Sequence, residues 1–213
     1  ERCGPGTLVL TSTTGSGGDI NRWYDNPSGG PLLSEGNSFT TPVLSSAADY
    51  WISSINLTNG CESPRRRVNI TIHDIPSVPV VSDIQHCGNV SATIPAAVGN
   101  YGTNNRWYAV SSGGVMLAEA DTFVTPVLTA PVTYWVSSYN AITGCEGERV
   151  PVHVQIDIIP GTPVAYDTAR CGEGALTIAS TVGVNGNHNQ WFDAQTGGTL
   201  LDTTASFATP YLT

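Results

Sequence analysis

Between residues 149 and 158 every second side chain is apolar and β-branched. Val150, Val152, Val154, Ile156 and Ile158 alternate with Pro151, His153, Gln155 and Asp157. Strand side chains point to opposite faces with period two, so this segment predicts a strand with one face in a core. The stretch before it reads the same way. Residues 79–83 form a short extended segment, 89–98 a β-branched strand, and Asn105-Arg106-Trp107-Tyr108 lies in another. Ser111-Ser112-Gly113-Gly114 marks a turn, because glycine takes positive φ without steric cost. Residues 115–118 then pair back, 122–128 cross over, and 132–139 alternate up to a turn at Thr143-Gly144. No window holds a helical period. About seven short strands with frequent turn signals predict an all-β, Ig-like sandwich.

The pattern recurs. Cys3, Cys87 and Cys171 are each 84 residues apart, as are Trp23, Trp107 and Trp191. The same offset relates Gly29-Gly30, Gly113-Gly114 and Gly197-Gly198, and the Phe-x-Thr-Pro motifs beginning at Phe39, Phe123 and Phe207. Tyr50-Trp51 maps onto Tyr134-Trp135, Gly60-Cys61-Glu62 onto Gly144-Cys145-Glu146, and the linker 76–79 onto 160–163. A gapless period of this kind is the mark of a tandem array. It divides the chain into an Ig-like repeat over 1–76 that lacks its opening strand, a complete repeat over 77–160, and the N-terminal part of a third over 161–213. Half a sandwich would expose open strand edges, so the chain is expected to be a segment of a longer array.

Composition narrows the chemistry. The 8 basic residues are all Arg, against 17 Asp and Glu, a net charge of −9, and only 12% of residues are charged. Without lysine there is no phosphate-loop lysine, no Schiff base and no Ser-x-x-Lys acylase. Sparse Arg in an acidic chain also makes nucleic acid or an anionic membrane a poor partner. No apolar run reaches transmembrane length, so membrane insertion is not expected. No catalytic triad, metal-ligand spacing or cofactor motif stands out, and no catalytic residue, metal or cofactor is expected. Asp19 and Asp25 flank Trp23 as calcium ligands would, but their register positions are Thr103, Asn187, Ala109 and Asp193, which do not repeat such a site. Arg65-Arg66-Arg67 becomes Arg149-Val150-Pro151 and reads as a solvated strand end.

Cysteines this widely spaced in a Thr- and Ser-rich chain suit an oxidising compartment. Cys3 with Cys61, and Cys87 with Cys145, are both 58 apart and are expected to be bridges within a repeat, with the partner of Cys171 beyond residue 213. Each would contribute about 4 kcal/mol in the chain-entropy account; free thiols or metal ligands are the other reading. The three Trp fit a core between sheets. Tyr24, Tyr108 and Phe192 follow them and must face the other way. An exposed aromatic cluster there would either stack on a sugar ring or pair across strands to protect the sheet.

The run Arg-Cys-Gly, Arg-Trp-Tyr-Asp, Ser-Gly-Gly-x-Leu-Leu, Ser-Phe-Thr-Thr-Pro, Asp-Tyr-Trp and Asn-Gly-Cys-Glu-Ser in the first repeat resembles the Ig-like repeats of Bacteroidota surface proteins. Such repeats are found in giant gliding-motility adhesins of the SprB type and in other cargo of the type IX secretion system, and they also decorate secreted hydrolases. The resemblance implies a non-catalytic stalk or adhesin segment on the outer cell surface. Its partners would be neighbouring repeats, surface polysaccharide, and gliding or secretion machinery elsewhere in the protein. The alternative it leaves open is a carbohydrate-binding or spacer module attached to a secreted polysaccharide-degrading enzyme. It also implies O-glycosylation at Asp-Ser/Thr motifs, which Thr168 and Thr203 match.

Overall fold

The computed structural model describes residues 1–212, and all regular structure among them is strand. The chain divides into two compact units. One holds Glu1–Ser82, Thr93–Phe123 and Thr133–Val152; the other holds Asp83–Ala92, Val124–Val132 and the residues from His153 onward.

In the first repeat a four-stranded sheet runs in the order Leu32–Glu35, Ile20–Tyr24, Ala48–Ile55, Arg66–Ile70. Val9–Thr11 pairs with Ser38–Thr40 in a separate sheet. Trp23 from the first stacks on Phe39 from the second, ring centroids 5.8 Å apart, so the two layers close on one core. Trp23 is buried, and its indole N–H donates to the Gly36 carbonyl at 3.0 Å.

The second repeat has the same plan. One sheet runs Ile84–Cys87, Val150–Asp157, Val132–Tyr139, Asn104–Tyr108, Met116–Glu119; the other runs Thr122–Leu128, Val90–Ala97, Val80–Val81. The period-two expectation holds: Ala92, Ile94 and Ala96 are buried along one strand, and Val152, Val154 and Ile156 along another. Trp107 stacks on Phe123 at 5.3 Å and donates to the Ala120 carbonyl at 2.8 Å. The turn after the Trp strand uses Gly113 and Gly114 at φ 62° and 72°, where a Cβ would be strained. In the third repeat Val164–Ala165, Thr177–Thr181 and Ser206–Ala208 form one sheet, and Trp191–Phe192 pairs with Leu200–Asp202. Each Trp strand carries a register shift at the same place, after Trp23, Trp107 and Trp191.

One strand escapes the sequence pattern. Ile84–Cys87 pairs in parallel with Val150–Asp157, setting Cys87 opposite Asp157. Arg2–Cys3 does the same with Ile72–His73, setting Cys3 opposite His73. Gln85 and His86 offer no apolar alternation, so periodicity passes over the segment.

That strand overturns the expected bridges. Cys87 sits beside the last residue of the strand Val150–Asp157, whereas Cys145 lies in the loop before its first. Eight extended residues span about 26 Å, and a disulfide tolerates a Cα separation up to about 7 Å. Cys3 and Cys61 are likewise at opposite ends of their repeat. Instead Cys3 is bonded to Cys145 of the following repeat, Cα atoms 5.6 Å apart and 142 residues distant in sequence. Cys61, Cys87 and Cys171 are free and exposed.

Candidate functional site at the junction of consecutive repeats

The linker that begins at Pro76 is held by backbone. The Ser77 N–H donates to the Asn100 carbonyl at 2.9 Å, and the Asn100 N–H donates to Ser77 Oγ at 2.8 Å. A Cβ on Gly99 would run into the Ser77 carbonyl oxygen, and one on Gly147 into that of Pro76. Both positions need glycine because another backbone passes over them. The next linker is seated by the same backbone bond, with Gly161 N–H donating to the Val184 carbonyl at 2.8 Å and no room for a Cβ on Gly183. Ser77 and Gly161, and Gly99 and Gly183, are one period apart. The corresponding face of the first repeat, around Gly15, Ser54 and Ser63, is an open groove of about 540 Å³. Beside the first linker the Cys3–Cys145 bond closes the junction, and Cys145 is fully buried.

The loop that carries the cysteine is itself anchored. In the second repeat Glu146, the residue after Cys145, accepts hydrogen bonds from Ser137 Oγ at 2.6 Å, Tyr108 Oη at 2.8 Å and Arg106 Nη1 at 3.3 Å. Arg106 also pairs with Glu119 at 2.8 Å. Glu62 in the first repeat accepts from Ser53, Tyr24 and Arg22 in the same way. Desolvation pushes both glutamates up, but the hydrogen bonds from serine, tyrosine and arginine outweigh it and hold each carboxyl below its ordinary value. Burial, and then the bond to the carboxylate, push the Tyr24 and Tyr108 hydroxyls above theirs. The loop turn repeats too: Asn140 Oδ1 accepts from the Ile142 and Thr143 amides, as Asn56 Oδ1 does from Thr58 and Asn59.

These contacts revise the aromatic reading. Tyr24 and Tyr108 are only 6% and 5% exposed, so neither presents a ring to a sugar. Arg65 and Arg149 cover them, each guanidinium carbon 3.2 Å from the ring centroid. Arg65 is therefore not part of a solvated strand end. It donates to the carbonyls of Asn26 and Gly29, as Arg149 does to Val110 and Gly113. Phe192 is 48% exposed. Asp19 accepts from the Leu57 amide, and its register partner Thr103 accepts from Ala141, so both fix a loop. Thr168 and Thr203 are exposed. Composition did not single out Asn21, Asn105 and Asn189, buried at one register position and each donating through its amide. Their common spacing of 84 was the available signal. Among the described residues no three His, Cys, Asp or Glu converge as metal ligands, and no helix is long and apolar enough to cross a membrane.

Paired β-layers around a Trp–Phe stack, repeated in one register, define serial immunoglobulin-like sandwiches. The family described as "Ig-like domain CHU_C associated" matches residues 1–73, 76–157 and 160–213, and the chain belongs to that family. No curated protein matches it. Among solved structures it is similar to murine CEACAM1b at 13% identity and TM-score 0.40, over 74% of this chain and 96% of that one. It is also similar to titin domains A168–A170 at 12% identity and TM-score 0.32, over 96% and 82%. A solved chain from a study of a 1.5-MDa bacterial ice-binding adhesin aligns at 11% identity and TM-score 0.32, over 96% of this chain and 79% of that one. Likenesses this distant carry no function across.

Proposed function

We propose that the chain is a non-catalytic stalk segment of a large secreted surface adhesin, built from three serial repeats at 1–76, 77–160 and 161–213. The observation that carries this is the junction. Both linkers dock by the same backbone bond onto the next repeat, over glycines that leave no space for a side chain. A covalent bond spans the first junction. A connector so restrained limits swing between neighbours, which is what a spacer under tension requires. Disulfide chemistry and a Ser/Thr-covered surface suit the exterior of the cell. Adhesion, including adhesion during gliding, then arises in distal regions or from weak contacts with surface polysaccharide summed over many repeats. Export by the type IX system and attachment to gliding machinery belong to other parts of such a protein. The burial of Tyr24 and Tyr108 weighs against the alternative of a sugar-binding module on a hydrolase.

An antibody raised against these 213 residues should label intact cells that make the protein. Labelling only after permeabilisation would overturn the surface assignment.

A further inference from the structure

We infer that one disulfide staples each repeat to the next: the cysteine closing the short parallel strand of one repeat bonds to the loop cysteine of its successor. Cys3–Cys145 is the first rung, and Cys87 is poised to make the second with the loop cysteine of the third repeat, 58 residues after Cys171. Cys61 is the corresponding acceptor for a preceding repeat. The inference rests on the reading of the chain as serial repeats.

The geometry supports it at both ends of the bond. Cys87 occupies the place of Cys3. Each ends a strand paired in parallel with the last strand of its repeat. Each is followed by a glycine, Gly4 or Gly88, whose N–H donates to the carbonyl of His73 or Asp157 at 2.8 Å. Both glycines pack against the isoleucine that leads into the linker, Ile75 or Ile159. Cys61 occupies the place of Cys145: its carbonyl accepts from Asn56 at 2.9 Å, as that of Cys145 does from Asn140 at 2.8 Å, and Gly60 and Gly144 share φ 71° and 72°. The junction between the two places repeats as well, since the linkers at Ser77 and Gly161 are seated alike. Pairing within a repeat is excluded by the length of the strand that separates the two cysteines. On this inference the exposed thiols of Cys61, Cys87 and Cys171 are halves of further rungs.

Formation of a rung needs an oxidant, a small or protein disulfide. The Cys87 thiolate attacks the donor disulfide, forms a mixed disulfide and expels one donor thiolate. The loop cysteine thiolate then attacks the Cys87 sulfur and expels the second. Two electrons pass to the donor, which ends as two thiols carrying the two cysteine protons.

The test is a chain with a second copy of residues 77–160 inserted after Pro160, the copy carrying the exposed Ile142→Val change so that its loop peptide differs in mass from the native one; it retains every native segment and raises the cysteines from five to seven. It is refolded with oxidised and reduced glutathione and mapped by non-reducing peptide mass spectrometry. The expected result is Cys3–Cys145 together with Cys87 bonded to the loop cysteine of the inserted copy, leaving three alkylatable thiols. A chain that forms Cys3–Cys145 yet leaves Cys87 alkylatable overturns the inference, and so does one in which Cys87 bonds to Cys145 of its own repeat in place of Cys3. The unextended chain carrying Cys3→Ser gives a second reading. Cys145 should then remain a free thiol, and a Cys87–Cys145 peptide would overturn the inference whether or not the longer chain folds. Scattering that showed mobile junctions would count against the stalk while leaving these bonds in place.

Discussion

Arg149 stands over the ring of Tyr108 with its Cζ 3.2 Å from the centroid, and from there its Nη1 donates to the carbonyls of Val110 and Gly113. One side chain therefore roofs a buried tyrosine and pins the Gly113-Gly114 turn. Its exposure is only 15%, so the cation–π contact is partly desolvated. Arg149→Lys keeps the charge but loses the planar fork that serves ring and carbonyls together. The expected loss is about 2 kcal/mol, from stacking plus one net hydrogen bond. Urea denaturation followed by tryptophan fluorescence checks it, with exposed Arg66→Lys as the control that should not move the midpoint.

Acid should loosen the cysteine loops before it disturbs the cores. Glu62 and Glu146 have folded pKa values below the ordinary 4.5. A depressed carboxyl contributes stability that is present above the unfolded value and is lost as pH falls through the folded value. Melting temperature should accordingly be flat above about pH 5 and drop below 4.5 as both carboxylates gain protons and release Arg22 and Arg106. The double variant Glu62→Gln, Glu146→Gln should melt lower at pH 7 and show a shallower acid limb. An unchanged limb would assign acid sensitivity to other groups.

Periodicity made the strands, the Trp core and the repeat legible, because each depends on apolar alternation or on register. It could not reveal the cysteine pairing. Cys3 to Cys61 and Cys3 to Cys145 differ by one full period, so every spacing argument that favours one favours the other. What separates them is which end of the sheet each cysteine occupies. That turns on a four-residue parallel strand, Ile84–Cys87, with no hydrophobic pattern. The tyrosines show a different limit. Alternation correctly sets Tyr108 opposite Trp107, but it is silent on what covers the second face. The cover comes from Arg149 and Glu146, distant in sequence, whose repetition at Arg65 and Glu62 was the only trace.

Gly99 and Gly15 occupy the same register position in different surroundings. A Cβ at Gly99 would collide with the Ser77 carbonyl, whereas one at Gly15 would meet the Ser54 side chain, Oγ at 3.1 Å and Cβ at 3.6 Å. Gly→Ala gains about 0.4–1 kcal/mol through the unfolded state wherever the native site accepts it. Gly15→Ala should therefore be neutral or slightly stabilising, and Gly99→Ala destabilising. The decisive readout is hydrogen exchange at the Ser77 amide, which is bonded to Asn100. Its protection should fall at least tenfold in Gly99→Ala and stay unchanged in Gly15→Ala. Equal protection in both would mean that the linker is not held by this seat.

The Phe-x-Thr-Pro motif owes its threonine to a single hydroxyl. Thr125 Oγ1 accepts from the Ala92 amide at 2.9 Å and donates to the Pro126 carbonyl at 2.8 Å. Thr41 accepts from Leu8 and Thr209 from Leu176 at 3.0 and 2.9 Å. The Thr125 backbone carbonyl accepts from Ser91 Oγ, so the threonine hydroxyl, and not the backbone, receives the Ala92 amide. Ala92 is fully buried, and removing the hydroxyl strands its N–H without water. Thr125→Val preserves shape and β-branching, so its effect reports the loss of the hydroxyl and its two hydrogen bonds. The expected loss is about 1–3 kcal/mol, the cost of an orphaned buried donor, against under about 1 kcal/mol for Thr125→Ser, which keeps the oxygen and loses one methyl group. If Thr125→Val unfolded at the wild-type urea concentration while Thr125→Ser unfolded earlier, the threonine would be there for its methyl group, and the motif would be a matter of packing alone.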